Sequence, residues 1–209
     1  MRGKINVGGR KDRKSDLLRA AVQLLQERGS SNFTLNDLAD VSGSNGALVK
    51  YYFGNKEGLL TEVYDLSIDT WDRLESMIED QSIPPEEKLK RHIHDLVFRL
   101  AEHSYLGTLF LELTSTSDNP ETLEMARQHS RRAADAHARL LAEGYQKGVF
   151  KKIDPMYFYL SLVGAAHHAV VSTFVLDAAF NIKKVDEKYK LRLVEYLSDM
   201  FLASLKPTT

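Results

Sequence analysis

The segment from Ser42 to Lys56 constrains the fold most, because it places two turns around a helix too short to be stable alone. Gly43 can adopt the left-handed conformation that ends a preceding helix. Asn45 is a good N-cap for the helix that follows. Val49 and Phe53 are four residues apart, so both can pack one face of that helix against a core. Because an isolated helix of this length is marginal in water, the segment predicts a short helix held by its neighbours.

The other faces of this short helix carry two very small residues, a cation and two phenols, namely Gly46, Ala47, Lys50, Tyr51 and Tyr52. Small residues let a backbone approach a partner closely, and lysine and tyrosine donate hydrogen bonds to base edges and phosphates. The pattern is therefore typical of a helix that lies against DNA. Taken alone, it fits equally well with aromatic side chains that are only half-buried structural residues.

The charges of the chain are unevenly distributed. The 209 residues carry a net charge of −1, but residues 1–56 hold ten Lys/Arg against five Asp/Glu, and the remainder holds 18 against 24. A basic first quarter on an acidic body indicates that one part faces a polyanion. Residues 1–11 are basic and glycine-rich and are predicted to form a flexible arm. That arm either adds phosphate or minor-groove contacts or is only a solubilising terminus.

Composition excludes several classes of protein. The chain has no cysteine, which excludes disulfides, thiolate nucleophiles and zinc–cysteine sites. No apolar run approaches the length of a membrane span, and the basic N-terminus lacks a secretory segment, so a cytoplasmic protein without membrane contact is expected. The seven histidines show no metal-binding spacing; His92 and His94, for example, fall on different helix faces. We predict no metal, cofactor or catalytic residue.

Apolar periodicity predicts helices throughout the chain. A first helix spans about Asp12 to Arg28. Thr34, with Asp37 three residues later, begins a second that ends near Gly43. Further helices are expected over about 56–79, 85–102, 106–114, 120–147, 154–180 and 186–205. No β pattern occurs, so the fold class is all-α with about nine helices, and the second and third form a helix–turn–helix.

The stretch from Leu17 to Leu60 resembles the DNA-binding domain of the TetR family of transcriptional regulators. The resemblance is carried by Gly-x-x-x-Phe-Thr, then Leu-Ala, then Gly-Ala-Leu-Val-Lys-Tyr-Tyr-Phe-Gly-Asn-Lys-Glu-Gly-Leu-Leu. It implies a helix–turn–helix domain over 1–55 and a helical effector-binding and dimerisation domain over 56–209. The implied function is that of a homodimeric, ligand-responsive repressor whose effector changes the head spacing and releases double-stranded operator DNA. Activation instead of repression stays open.

The resemblance also assigns roles to residues of the head. Base-reading positions fall on Asn36, Gly46, Ala47 and Lys50. Positions that hold the DNA backbone fall on Thr34, Tyr51, Tyr52 and Lys56. Many members have Tyr where Lys50 stands and Thr where Leu48 stands, so Lys50 is expected to favour guanine at its contact.

The body is expected to provide two further surfaces. The helix over 154–180 is apolar almost all round, which indicates burial either in a monomer core or between two copies. The resemblance favours a dimer interface built from Phe158, Leu162, Ala166, Ala169, Val170, Val194, Leu197 and Phe201. It also implies an effector pocket among Trp71, Phe98, Leu109, Phe110, Leu113, Met125 and His129, although each of these could simply fill a core. That apolar and aromatic lining favours a small hydrophobic or aromatic effector.

Two alternatives come from other classes of protein. One is an all-helical enzyme that carries a helix–turn–helix as a scaffold. The chain has no phosphate-binding loop, serine elbow or paired carboxylates in an apolar setting, which argues against this class. The other alternative is a DNA-binding protein without ligand control, which would not be stabilised by any small molecule.

Overall fold

The computed structural model describes residues 9–67 and 70–207 of the chain. Over these residues the chain forms eleven α-helices and no strand, which confirms the all-α fold class. The helices are α1 (Gly9–Arg28), α2 (Leu35–Ser42), α3 (Ala47–Phe53), α4 (Lys56–Ser67), α5 (Thr70–Glu79), α6 (Pro85–Glu102), α7 (Leu106–Thr116), α8 (Pro120–Gln146), α9 (Pro155–Val171), α10 (Thr173–Phe180) and α11 (Glu187–Leu205).

The helix count exceeds the expected nine because two expected helices are each described as two. The stretch over 56–79 comprises α4 and α5, on either side of residues 68–69, which lie outside the description. The stretch over 154–180 comprises α9 and α10, which meet at Ser172 with a bend of 70°. Helix α1 begins at Gly9, earlier than Asp12, and the rest of the expected arm, residues 1–8, is not described.

The residues around the bend at Ser172 have low helix propensity. Val170, Val171 and Thr173 flank it with β-branched side chains, which lower helix propensity. The Ser172 hydroxyl lies 3.0 Å from Nδ1 of His168 in the preceding turn. Neither helix is long and apolar enough to cross a membrane, nor is any other single helix in 9–67 or 70–207; only this bent pair reaches that threshold, by length and composition alone.

The chain divides into two compact units. The functional boundary expected after residue 55 stays a prediction. The first unit contains α1 to α4, α7 and the start of α8 up to Ala126. Helix α4 packs against α1 and α3, α7 packs against α4, and the leucines of both helices belong to the same core as those of α1 to α3. That core includes Leu17, Leu25, Leu38, Val49, Leu59, Leu109 and Leu113.

The second unit contains α5, α6, α8 from Arg127 onward, α9, α10 and α11. Helices α6, α9 and α11 surround a core that includes Leu89, Ile93, Val97, Leu140, Phe158, Leu162, Leu197, Phe201 and Leu205. The rings of Phe158 and Phe201 meet edge to face, with centroids 5.3 Å apart, and join α9 to α11.

The second unit also buries a lysine. Lys88 is completely buried, and its Nζ donates to the carbonyl oxygen of Ile78 at 2.6 Å and to Oε2 of Glu143 at 2.8 Å. Lys147 donates to the other oxygen of the same carboxylate at 2.7 Å. The buried cation therefore has both a counter-ion and a carbonyl acceptor, as a buried charge requires.

Two buried histidines form a second polar pair in this unit. The Nε2 atoms of His92 and His137 lie 2.9 Å apart, and Nδ1 of His137 lies 2.7 Å from the carbonyl oxygen of Ala133. Because that carbonyl only accepts, His137 Nδ1 carries the proton, its Nε2 accepts, and His92 donates. Burial lowers the pKa of His92 to about 3 and lowers that of His137, so both rings are neutral at pH 7.

Candidate DNA-binding site

The start of α2 is fixed by a reciprocal cap. The Thr34 hydroxyl accepts from the Asp37 backbone N–H at 3.1 Å, and Oδ2 of Asp37 accepts from the Thr34 N–H at 2.7 Å. Arg28 donates to the same carboxylate at 3.2 Å and to the Asn32 carbonyl at 2.8 Å. The Thr34 N–H and then Arg28 lower the pKa of Asp37 to about 2. The ionised Asp37 thereby ties the end of α1 to the start of α2.

The turn between α2 and α3 follows the prediction at Gly43 but differs from it by one residue at the N-cap of α3. Gly43 has a φ of 61°, which favours glycine, and its N–H donates to the Ala39 carbonyl to close α2. The N-cap of α3 is Gly46, which makes no side-chain cap, and not the predicted Asn45. Oδ1 of Asn45, one residue earlier, accepts from the Ala47 N–H at 2.9 Å. A Cβ placed on Gly46 would lie 3.7 Å from Cβ of Leu35, which brings the starts of α2 and α3 close together.

Helix α3 packs one face and exposes the other. Val49 is completely buried in the core of the first unit, and Phe53 packs against that core. Ala47 and Lys50 are exposed, and Tyr51 is 63% exposed. The short helix therefore receives its stability from one apolar contact face and leaves the opposite face to solvent.

The four expected base-reading residues lie at the starts of α2 and α3 or on the outer face of α3. Asn36, Ala47 and Lys50 are exposed, and Gly46 is half-buried beside Leu35. Their positions on two adjacent helix starts suit entry into one groove. Their contact with bases stays a prediction.

The four residues expected to contact the DNA backbone differ from one another in exposure and in the contacts that they make within the protein. Tyr51 is exposed, while Tyr52 is half-buried, packs against the core and lies edge to face with Tyr51 at 4.9 Å between ring centroids. The Thr34 hydroxyl is already used in the cap of α2. Lys56 donates to the carbonyls of Ser31 and Phe33, at 2.6 Å for Phe33. Its ammonium therefore stabilises the loop between α1 and α2. Its phosphate contact stays a prediction.

The residues expected to line an effector pocket belong to different units. Leu109 and Leu113 are buried in the core of the first unit, and Phe110 and Met125 pack against it. Phe98 and His129 belong to the second unit, where Phe98 stacks on His94 at 4.3 Å. The side chain of Trp71 lies outside the described residues. A single pocket formed by all seven stays a prediction.

The expected dimer interface requires a correction. Six of its eight residues are at most 6% exposed, and all of these except Val170 belong to the core of the second unit: Phe158, Leu162, Ala166, Val170, Leu197 and Phe201. Side chains buried in this way have no surface left for a second copy, so the predicted face is wrong for them. Ala169 and Val194 are half-buried. The reason is that α9 is apolar on both faces, so periodicity could not choose between them.

The apolar surface of the second unit lies on the other side of α9 and on α10 and α11. Its large exposed side chains are Met156, Tyr157, Leu160, Phe174, Val175, Phe180, Leu191, Tyr196 and Met200. Phe174 is 83% exposed, which is unusual for so large an apolar side chain. The sequence did not indicate this face, because α9 is apolar all round and its periodicity does not distinguish the exposed side from the buried one.

Comparisons with known proteins agree with this architecture. Residues 17–63 match the model of the bacterial regulatory proteins of the tetR family, and residues 82–208 match the tetracyclin repressor-like C-terminal domain. The HTH-type transcriptional repressor NicS of Pseudomonas putida is 22% identical over 199 residues, covering 92% of both chains.

Solved structures share the fold. FadR from Bacillus subtilis in complex with stearoyl-CoA has a TM-score of 0.65 at 21% identity and covers 88% of this chain and 97% of its own. HlyIIR, a hemolysin II transcriptional regulator, has a TM-score of 0.63 at 21% identity and covers 95% and 99%. The helix–turn–helix, the capped short helix and the two family matches lead to one conclusion. The chain belongs to the TetR family and is a DNA-binding transcriptional regulator.

Proposed function

We propose that this regulator is a cytoplasmic, non-enzymatic repressor that binds double-stranded operator DNA as a homodimer and releases it when a small effector binds. The observation that carries the proposal is the outer face of α3, where Ala47, Lys50 and Tyr51 are exposed on a helix held by Val49. A residue this long and cationic beside a very small one suits a major-groove contact. NicS, which is similar over most of its length, is named a transcriptional repressor.

Base reading would depend on few groups. Lys50 would donate to guanine O6 or N7, and Asn36 would reach the same groove from the start of α2. Tyr51 would hold a phosphate with its exposed hydroxyl. Because each head contacts only one short site, two heads are needed for a specific operator.

The second copy would cover the outward apolar face of α9 and α11. Tyr157, Leu160, Tyr196 and Met200 are exposed on these two helices. Two such helix pairs related by a twofold axis would bury them in a four-helix interface. The proposed interface therefore lies on the side of α9 opposite to the dimer face that was predicted from the sequence.

The effector is proposed to be small and hydrophobic or aromatic. FadR, whose fold is similar, is solved with stearoyl-CoA, which supports an apolar effector for this fold. Release of DNA would require only that the effector bind one conformation of the dimer more tightly than the DNA-bound one. If no compound stabilises the protein in a thermal-shift screen, a ligand-independent DNA-binding protein becomes the better account.

Selection of duplexes from random oligonucleotides tests the proposed function. The wild-type protein should enrich one two-half-site sequence. Lys50→Ala should weaken binding to it by about 1–3 kcal/mol and relax the preference at one base pair of each half-site. No enrichment by the wild type would contradict the function, and an unchanged preference of Lys50→Ala would remove Lys50 from the base-reading set.

A further inference from the structure

The loop between α1 and α2 is held by side chains from two helices that are distant in sequence. Lys56, at the start of α4, donates to the carbonyls of Ser31 and Phe33, and its Nζ lies 4.4 Å from the centroid of the Phe33 ring. Glu112, on α7, accepts from the Ser31 backbone N–H with Oε2 at 3.3 Å. Both backbone groups of Ser31 are therefore bound by side chains.

The two charged groups support each other. Burial lowers the pKa of Lys56, whereas the negative charge of Glu112 raises it. Both side chains line a cavity of about 230 Å³ between α4 and α7, with Leu60, Leu109 and Leu113 as its apolar lining. Glu112 lies at the wall of this cavity, where its carboxylate accepts the hydrogen bond from the Ser31 N–H.

The held loop leads directly into the base-reading surface. Thr34, the N-cap of α2, follows Phe33, and Asn36 lies in the first turn of that helix. The start of α3 lies beside Leu35. A displacement of Ser31 would therefore move the N-terminus of α2, on which the expected groove contacts depend.

We propose that Glu112 is a positioning residue for operator recognition, which, together with Lys56, fixes the α1–α2 loop and so links α7 to the base-reading surface. The proposal rests on the proposed function. Helix α7 lies within residues 82–208, which match the C-terminal family domain, yet it packs in the first unit with the helix–turn–helix. Glu112 is thus a residue of the C-terminal domain that directly contacts the loop between α1 and α2.

The sign of the effect separates positioning from simple charge. Removing a carboxylate from a DNA-binding unit should strengthen binding to a polyanion. Positioning predicts the reverse. Glu112→Ala, which leaves the Ser31 N–H without its acceptor, should weaken operator binding roughly fivefold. Glu112→Gln keeps an oxygen acceptor and should stay near wild type. Glu112→Asp keeps the charge but falls short of Ser31, and it should behave like Glu112→Ala.

The experiment measures the dissociation constant of the full-length protein for its selected duplex and for a scrambled duplex, at several salt concentrations. Asp118→Ala and Asp118→Asn are the matched controls, because Asp118 is an exposed carboxylate of the same unit. Positioning predicts that Glu112→Ala and Glu112→Asp lose affinity for the selected duplex only, with the salt slope and the melting temperature unchanged.

Three results would overturn the proposal. One is binding by Glu112→Ala that is as tight as wild type or tighter. Another is weakening of Glu112→Ala on both duplexes in parallel with a lower melting temperature. The third is wild-type affinity in Glu112→Asp. Failure of the wild type itself to select any duplex is a separate result, which would overturn the proposed function.

Discussion

The two units of this regulator expose opposite kinds of surface. In the first unit, α3 presents a small residue, a lysine and a tyrosine, Ala47, Lys50 and Tyr51. In the second unit, α9 to α11 present large apolar side chains such as Leu160 and Phe174. A polar face on a basic segment suits a phosphate-rich partner, whereas exposed large apolar side chains suit another apolar surface.

The interiors of the two units show the reverse contrast, because the second unit has the more polar interior. Among the described residues, the buried basic side chains, Lys88, His92 and His137, all belong to the second unit. The described core of the first unit is built almost wholly from aliphatic and aromatic residues. The second unit therefore combines an ionisable interior with an apolar exterior. Its stability should respond to pH and to association more than that of the first unit.

The apolar exterior gives the largest expected effect. Leu160→Arg places a charge on the outward face of α9, where Leu160 is 57% exposed in the protomer. Burying an unpaired charge in the dimer should weaken self-association roughly a thousandfold, or about 4 kcal/mol. Analytical ultracentrifugation measures it. Leu111→Arg, at a similarly exposed leucine of the first unit, is the control and should leave the dimer intact.

Removal of the buried lysine, Lys88, has the next largest expected effect. Lys88→Ala removes the partner of Glu143 and leaves the Ile78 carbonyl without its donor, which should lower the free energy of unfolding by about 3 kcal/mol. Urea denaturation gives the value. Arg91→Ala breaks the exposed Arg91–Glu87 pair and should cost less than about 0.5 kcal/mol. Equal losses in the two variants would contradict the buried role of Lys88.

The histidine pair predicts acid sensitivity. The pKa of His92 falls from 6.5 to about 3 on folding, so below pH 6.5 the unfolded chain binds more protons than the folded one. Stability should therefore fall as pH decreases from 6.5 towards 3, by up to about 1.4 kcal/mol per pH unit for each proton. His92→Asn should flatten this dependence, and His94→Asn, at an exposed position, should not. A wild-type profile that is flat over this range would refute the buried neutral pair.

The smallest effect separates stability from recognition within the first unit. Thr34→Ala removes the cap of α2 and should lower the free energy of unfolding by about 1 kcal/mol. Asn36→Ala, two residues later and exposed, should change stability by less than about 0.5 kcal/mol but weaken operator binding. Urea denaturation and fluorescence anisotropy with the selected duplex measure the two quantities. A similar loss of stability in both variants would contradict the separate roles of Thr34 as a helix cap and Asn36 as a base-reading residue.

How much the sequence predicted depended on how far apart along the chain the interacting residues lie. The cap of Thr34 by Asp37 joins residues three apart, so spacing alone revealed it. The N-cap of α3 falls on Gly46, one residue after the predicted Asn45. Lys56 binds carbonyls of Ser31 and Phe33, more than twenty residues away, and its structural role was therefore invisible to local patterns. Contacts of that range appear only once α4 packs beside the loop.

The misassigned dimer face has a different cause. On α9, Phe158 and Leu162 lie on one side and Leu160 on the other, and all three are apolar. A helix that is apolar all round carries no periodic signal, so the choice of inner face depends on which neighbours it meets. Here the buried rings of Phe158 and Phe201 make that choice.

The central claim is that two copies, paired through the apolar face of the second unit, present two heads to one duplex. Sedimentation of the protein with its selected duplex at micromolar concentration tests it most directly. The account predicts two protomers for each duplex with two half-sites and loss of that complex in Leu160→Arg. A single protomer bound per duplex with undiminished sequence preference would contradict it.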